Sequence, residues 1–72
     1  MLVIQGSADQ VIARGLTDHW VQVACTTGDV VDYRVYDGND HVNVLTAAKD
    51  DILGWLANRV DGDAARDTCP SP

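Results

Sequence analysis

Two stretches of this 72-residue chain have the character of β-strands, and a helical stretch lies between them. The segment Leu2–Gln5, whose first three residues are apolar, and the β-branched, aromatic run 30–36 predict strands. Helical periodicity over about 13–26 separates them, and a second helical pattern extends from Leu45 to Val60. Two strands joined by a helix of this length are expected to be parallel, with a right-handed crossover. The sequence therefore predicts an α/β chain in the order β-α-β-α.

Each predicted helix has one apolar face, which we expect to be buried together with its tryptophan. The first face comprises Leu16, Trp20, Val23 and Ala24, and the second comprises Leu45, Ala48, Ile52, Trp55, Leu56 and Val60. In the second strand, Val31, Tyr33 and Val35 fall on one side. The run at Leu2–Gln5 does not alternate, which is typical of a strand buried on both faces.

A β-α-β-α unit is an incomplete α/β fold. Parallel sheets normally have helices on both faces and more than two strands. Residues 1–62 are therefore predicted to be the C-terminal segment of a larger sheet of this kind. Residues 63–72 are predicted to form an irregular tail that contains Cys69, since Pro70 and Pro72 oppose regular pairing.

The charge balance excludes several classes of function. The chain has 11 acidic and 5 basic residues and a net charge of −6, whereas nucleic-acid binding needs a basic surface. No nucleic-acid partner is expected. The longest apolar runs are too short to cross a bilayer, so no stable membrane insertion is expected, and the first residues lack the pattern of a signal peptide. The acidic residues and histidines do not have metal-site spacing, so neither a metal nor a cofactor is expected.

Two polar residues of catalytic type follow the two predicted strands. Asp9 comes after the first strand and His41 after the second. Because neighbouring parallel strands end at the same edge of a sheet, these two side chains are expected to meet there. An Asp that accepts a hydrogen bond from His Nδ1–H sets the tautomer that a general base needs. Each residue alone is equally well explained as a turn residue, but the order Asp then His matches the end of an α/β-hydrolase triad.

Cys25 and Cys69 are the only cysteines, and their spacing fits neither a CxxC motif nor a zinc site. Two free thiols and one disulfide are both compatible with the sequence. A bridge closing so long a loop contributes about 3–4 kcal/mol in chain-entropy models. It would also imply an oxidising compartment.

Three strings, "LVIQGSADQVI", "VDYRVY" and "GNDH", resemble the C-terminal end of the secretory lipases of the lipase A type. These proteins are serine esterases of the α/β-hydrolase superfamily, and the resemblance runs from about Leu2 to Cys69. It implies that Asp9 is the triad acid and His41 the triad base, acting on a carboxylic ester or lipid substrate. It also implies a disulfide between Cys25 and Cys69, and secretion of the full-length enzyme.

The nucleophile of such an enzyme is missing from this sequence. In the family it lies in a G-x-S-x-G elbow on an earlier strand, and no such motif occurs here. Ser7 and Ser71 are the only serines, and Ser7 lies in a turn, not in a strand-to-helix elbow. We therefore predict a segment of an esterase or lipase that does not perform the chemistry alone.

Two other interpretations remain open. The chain could be a non-catalytic, acidic α/β domain that binds a protein partner or self-associates through its exposed strand edge. It could also be the end of another α/β hydrolase, of the dienelactone hydrolase or prolyl peptidase type. Those enzymes share the order Asp then His, so the triad assignment would be kept and the substrate would change.

Overall fold

The computed structural model describes residues 1–70 and contains the four elements in the predicted order. Strand β1 spans Leu2–Gly6, helix α1 spans Arg14–Thr26, strand β2 spans Asp32–Tyr36 and helix α2 spans Asn43–Asp61. The predicted β-α-β-α order is confirmed. Strand β2 begins at Asp32, two positions later than the predicted 30–36.

The two strands pair in parallel, from Leu2 opposite Asp32 to Gly6 opposite Tyr36. Backbone hydrogen bonds extend this ladder past β1, where the Ser7 N–H donates to the Tyr36 carbonyl at 3.0 Å. Parallel pairing is the arrangement expected when a helix connects two strands. As a consequence, the loop after β1 and the loop after β2 leave the sheet at the same edge.

The outer edge of β2 is covered by the C-terminal tail. The Thr68 N–H donates to the Val31 carbonyl at 2.7 Å, and the Thr68 hydroxyl accepts the Tyr33 N–H at 2.9 Å. Within residues 1–70, the outer edge of β1 has no strand partner. The predicted irregular tail has no helix or strand over 63–70, and positions 71 and 72 of that prediction lie outside the described residues.

A disulfide between Cys25 and Cys69 attaches the tail to the end of α1 across a sequence separation of 44 residues. Both cysteines pack against a small core cluster of Val21, Ala24 and Val31. The pairing implied by the resemblance is therefore confirmed. The bridge and the Thr68 hydrogen bonds together hold the tail on β2.

The prediction that the apolar face of α1 is buried is mostly wrong. Val21 and Ala24 are the buried positions, whereas Leu16, Trp20 and Val23 are 69%, 50% and 49% exposed. Periodicity identified a wide apolar stripe, but a sheet of two strands offers only a narrow surface against which a helix can pack. Trp20 therefore lies at the surface and not in a core.

The same correction applies to α2 and to β1. On α2 the buried positions are Val44 and Ala48, while Leu45, Leu53, Leu56 and Val60 are exposed. Ile52 and Trp55 are half-buried. The apolar residues of β1 are also half-buried instead of enclosed on both faces, because there is no third strand or further helix in the described part of the chain to cover them.

Helix α2 ends at Asp61, one residue beyond the predicted pattern, because Gly62 adopts the left-handed conformation at φ 77°. In the described residues 1–70, no helix has both the length and the apolar character that crossing a membrane requires.

Tyrosine hydroxyls connect each helix to β2. The Tyr33 hydroxyl donates to Asp18 on α1, and the Tyr36 hydroxyl donates to Asp51 on α2, both at 2.6 Å. Burial, together with the hydrogen bond to Asp18 and the charge of that residue, raises the pKa of Tyr33 to about 12. The contact with Tyr33 makes Asp18 a link between α1 and β2.

The disulfide generates a prediction about stability. Replacing both cysteines, as Cys25→Ser with Cys69→Ser, should lower the free energy of unfolding by about 3–4 kcal/mol, because the unfolded chain loses a long covalent loop. Urea unfolding measures the change. Reducing the wild-type chain with dithiothreitol should reproduce it, and adding dithiothreitol to the double variant should have no effect. A urea midpoint that does not change on reduction would contradict the prediction.

Candidate active site

Asp9 and His41 meet at the edge of the sheet where both strands end. The Oδ2 atom of Asp9 lies 2.9 Å from Nδ1 of His41. The side chain of Asp9 is 5% exposed, whereas that of His41 is 48% exposed. The carboxylate is therefore sheltered, and the imidazole that it contacts is open to an incoming group.

The second oxygen of Asp9 holds its own loop together. Oδ1 accepts the backbone N–H groups of Val11 at 2.8 Å and Ile12 at 2.9 Å. This is the local bonding that makes Asp common in turns. The turn interpretation and the catalytic interpretation of Asp9 are thus compatible, because each uses a different oxygen of the same carboxylate.

Opposing effects act on the Asp9 carboxyl group, and the net result is a lowered pKa. Burial raises the pKa, but hydrogen bonds from the Ile12 amide, the His41 ring and the Val11 amide outweigh it and bring the pKa below its ordinary value. Asp9 is therefore ionised at neutral pH. Since an ionised carboxylate only accepts hydrogen bonds, neutral His41 carries its proton on Nδ1, and its Nε2 atom is a free base.

Backbone hydrogen bonds connect the two loops that carry the pair. Beyond the Ser7–Tyr36 bond of the extended ladder, the Ala8 N–H donates to the Asn39 carbonyl at 3.0 Å. Asp40 accepts the N–H groups that open α2, those of Val42 and Asn43. His41 thus lies between the loop after β2, which is bonded to the loop after β1, and the first turn of α2.

Ser7 has a structural role in this region. Its hydroxyl accepts the Gly38 N–H at 2.7 Å and donates to Asp37 at 3.2 Å. Both partners belong to the loop after β2, so the Ser7 side chain joins the two loops. A hydroxyl held in this way is not a free nucleophile, in agreement with its position in a turn.

Gly6 allows the two loops to lie so close together. A Cβ atom at this position would overlap the carbonyl oxygen of Asn39 and would lie 3.1 Å from that of Asp40. Any side chain here would push away the loop that leads into His41. The need for glycine at position 6 is thus a matter of space.

One residue of the site was missed by sequence reasoning. Gln5 is 4% exposed in β1, and its side chain contacts the Ile12 carbonyl and the Thr17 hydroxyl behind Asp9. A polar residue at the end of an apolar strand was the available signal, but Leu2–Gln5 was interpreted only as a strand.

Two shallow depressions flank the pair. One, of about 450 Å³, is lined by both loops, including Ala8, Gly38 and His41. The other, of about 300 Å³, is lined by Asp9 and His41 together with apolar residues of β1 and α2. A larger depression of about 660 Å³ lies beside the disulfide and is lined by Gln22, Cys25, Thr26 and Pro70, with no acid or base of catalytic type among them. The two depressions beside Asp9 and His41 are therefore the candidate site.

Comparison of the chain with protein-family models, with curated proteins and with solved structures finds no match. Within residues 1–70, no group of three or more His, Cys, Asp or Glu side chains is arranged to hold a metal ion. His19 is exposed on α1. It is therefore a suitable control position for substitutions of His41.

The close approach at Gly6 predicts a specific effect of adding one methyl group. Gly6→Ala should destabilise the chain by about 1–3 kcal/mol and displace the His41 ring resonances, because the loop after β2 must move. Gly54→Ala is the matched control, since a Cβ there meets nothing within 4 Å. It should stabilise α2 by about 1 kcal/mol and leave His41 unchanged. Equal effects of the two variants on the His41 spectrum would disprove the steric explanation.

The lowered pKa of Asp9 predicts loss of stability in acid. A carboxyl group whose pKa is depressed by folding adds stability above its unfolded pKa, about 3.9, and this contribution disappears as the pH falls through the folded value. The pKa of Asp32 is also lowered, by its hydrogen bond from Arg34, so both groups contribute in wild type. Asp9→Asn should therefore weaken the fall of the urea midpoint between pH 6 and pH 2 without abolishing it. Asp61→Asn, at the exposed end of α2, is the control, and equal slopes in all three proteins would refute the prediction.

Proposed function

We propose that this chain is the C-terminal segment of a serine esterase or lipase, to which it supplies the acid and the base of the catalytic triad. The observation that carries the proposal is the 2.9 Å contact between Asp9 and His41 at the edge where two parallel strands end. The chain order, acid before base, and the resemblance to secretory lipases support the same assignment.

His41 is the general base and later the general acid of the proposed reaction. The serine of the intact enzyme attacks the ester carbonyl while His41 Nε2 accepts its proton. The ionised Asp9 stabilises the imidazolium that forms. His41 then returns the proton to the departing alcohol, and it activates the water that hydrolyses the acyl-enzyme. The exposed side of His41 is the side on which the serine and the ester must lie.

The uncovered apolar surface is consistent with a larger sheet. Leu16 and Trp20 on α1, and Leu53 and Leu56 on α2, are exposed by half or more. The outer edge of β1 has no strand partner among residues 1–70, whereas the edge of β2 is covered by the tail. Further strands added at β1 would complete an α/β sheet and would place a nucleophile on the same edge as Asp9 and His41.

A non-catalytic domain that binds a protein partner is the second candidate, and the same exposed apolar residues favour it. Binding a protein partner does not require an ionised Asp hydrogen-bonded to a histidine whose Nε2 is free. The catalytic pair therefore favours the esterase, and activity measurements distinguish the two candidates.

The isolated 72-residue chain should show no ester hydrolysis. Among the described residues 1–70, the one serine hydroxyl is bonded between the two loops. In an α/β-hydrolase the oxyanion hole also takes a donor from the loop after an early strand, and each such donor contributes about 10²–10³ to kcat. Hydrolysis of p-nitrophenyl butyrate measures this, with buffer as the reference. Turnover that a fluorophosphonate inhibitor abolishes would contradict the prediction, because it would require a nucleophilic serine in this chain.

Substitutions in the longer protein test the proposed roles directly. That protein is the product of the longest open reading frame that contains the chain in frame. Asp9→Asn should lower kcat by about 10⁴-fold, since the His41 tautomer is no longer fixed, and His41→Gln should lower it at least as far. Asp61→Asn and His19→Gln are the matched controls and should retain full activity. Activity that survives either Asp9→Asn or His41→Gln would reject the triad assignment.

A further inference from the structure

Gln5 is a buried polar side chain in a strand that is otherwise apolar. It is 4% exposed, and it lies between Ile4 and Gly6 at the end of β1. Burying an amide without hydrogen-bond partners is strongly unfavourable in apolar surroundings, so the contacts of such a residue indicate its role.

The amide group of Gln5 is bonded on both sides. Its Nε2 atom donates to the carbonyl of Ile12 at 2.9 Å and to that of Gly6 at 3.0 Å. Its Oε1 atom accepts the Thr17 hydroxyl at 2.6 Å. Both donor hydrogens and one acceptor position are therefore in use. These contacts join the end of β1, the loop that follows it and the first part of α1.

Ile12 connects Gln5 to the catalytic pair. Its carbonyl accepts from Gln5, while its N–H donates to Oδ1 of Asp9 at 2.9 Å. The other oxygen of Asp9 contacts His41. A continuous path of hydrogen bonds thus runs from Gln5 through the peptide groups of Ile12 to the carboxylate and then to the imidazole. If Ile12 moved, Asp9 would lose part of what holds its orientation.

No other side chain reproduces the set of contacts made at position 5. Glutamate has no donor for the Ile12 and Gly6 carbonyls at neutral pH, and asparagine is one methylene shorter. Methionine fills a similar volume but forms none of the strong hydrogen bonds. Position 5 therefore requires a side-chain amide on two methylene groups, which is glutamine. The hydroxyl of Thr17 donates to its oxygen and so keeps the amide in one orientation.

We propose that Gln5 is the positioning residue of the acid–base pair, which acts through Ile12 to hold Asp9 in the orientation that keeps the His41 proton on Nδ1. Gln5 does not touch the reacting atoms. Its catalytic consequence rests on the proposed esterase function, but its effect on His41 is a property of this chain and is measurable without any substrate.

The test is the tautomer of His41, read from the ¹⁵N resonances of its ring at about pH 9, where histidines are ordinarily neutral. In the wild-type chain, we expect about a tenfold excess of the Nδ1–H form, the effect of one charge-assisted hydrogen bond. Gln5→Met should remove most of that excess. Gln22→Met makes the same chemical change on the exposed side of α1 and should leave the tautomer as in wild type.

Thr17 provides a second, milder pair of variants. Thr17→Val removes the donor to Gln5 and should reduce the excess of the Nδ1–H form by about threefold, whereas Thr17→Ser keeps the hydroxyl and should restore it. If Gln5→Met unfolds the chain, as loss of urea cooperativity would show, this pair decides the outcome. The proposal would be overturned if the excess of the Nδ1–H form of His41 in a folded Gln5→Met chain, or in Thr17→Val, equalled that of wild type.

This outcome is separate from that of the esterase proposal. If the His41 tautomer depends on Gln5 but the longer protein has no esterase activity, the positioning role is supported and the esterase function is rejected. If Asp9→Asn abolishes esterase activity but the His41 tautomer ratio is the same in Gln5→Met as in wild type, the esterase function is supported and the positioning role is rejected.

Discussion

Parallel pairing of β1 with β2 is the interaction on which the candidate site depends. It sends the loops after both strands to one edge of the sheet, which brings Asp9 to within 2.9 Å of His41 although 32 positions separate them in sequence. An antiparallel pair would place these loops at opposite ends. The pairing is supported by helix α1, which makes the crossover, and by Gly6, which gives the second loop space to pass over the first.

A single carboxylate contacts both the turn that carries it and the histidine of the second loop. Asp9 uses one oxygen to close its own turn and the other to orient His41. The backbone N–H groups that shape the turn are also among the causes that lower its pKa, so folding of the loop and ionisation of the acid favour each other. Gln5 holds that loop from the core side. The site is consequently rigid on the side of the acid and open on the side of the base.

Features that depend on local order could be predicted from the sequence. The element order and the meeting of Asp9 with His41 both follow from where the strands lie along the chain. The predicted burial of Leu16 and Trp20 was wrong. Periodicity shows which face of a helix is apolar, but it does not show whether another element covers that face. The roles of Gln5 depend on contacts across three elements, which no local pattern contains. The disulfide was an implication of the lipase resemblance, because the spacing of the cysteines allowed free thiols equally well.

If Asp9 and His41 are the acid and the base of a catalytic triad, the coding sequence upstream of the Met1 codon must encode the nucleophile. We predict that the transcript continues in frame upstream of Met1 and encodes a strand, a G-x-S-x-G elbow and a following helix. The order of triad residues would then be serine, Asp9 and His41. An in-frame stop codon close upstream of Met1, or a long upstream frame without such an elbow, would reject the esterase assignment.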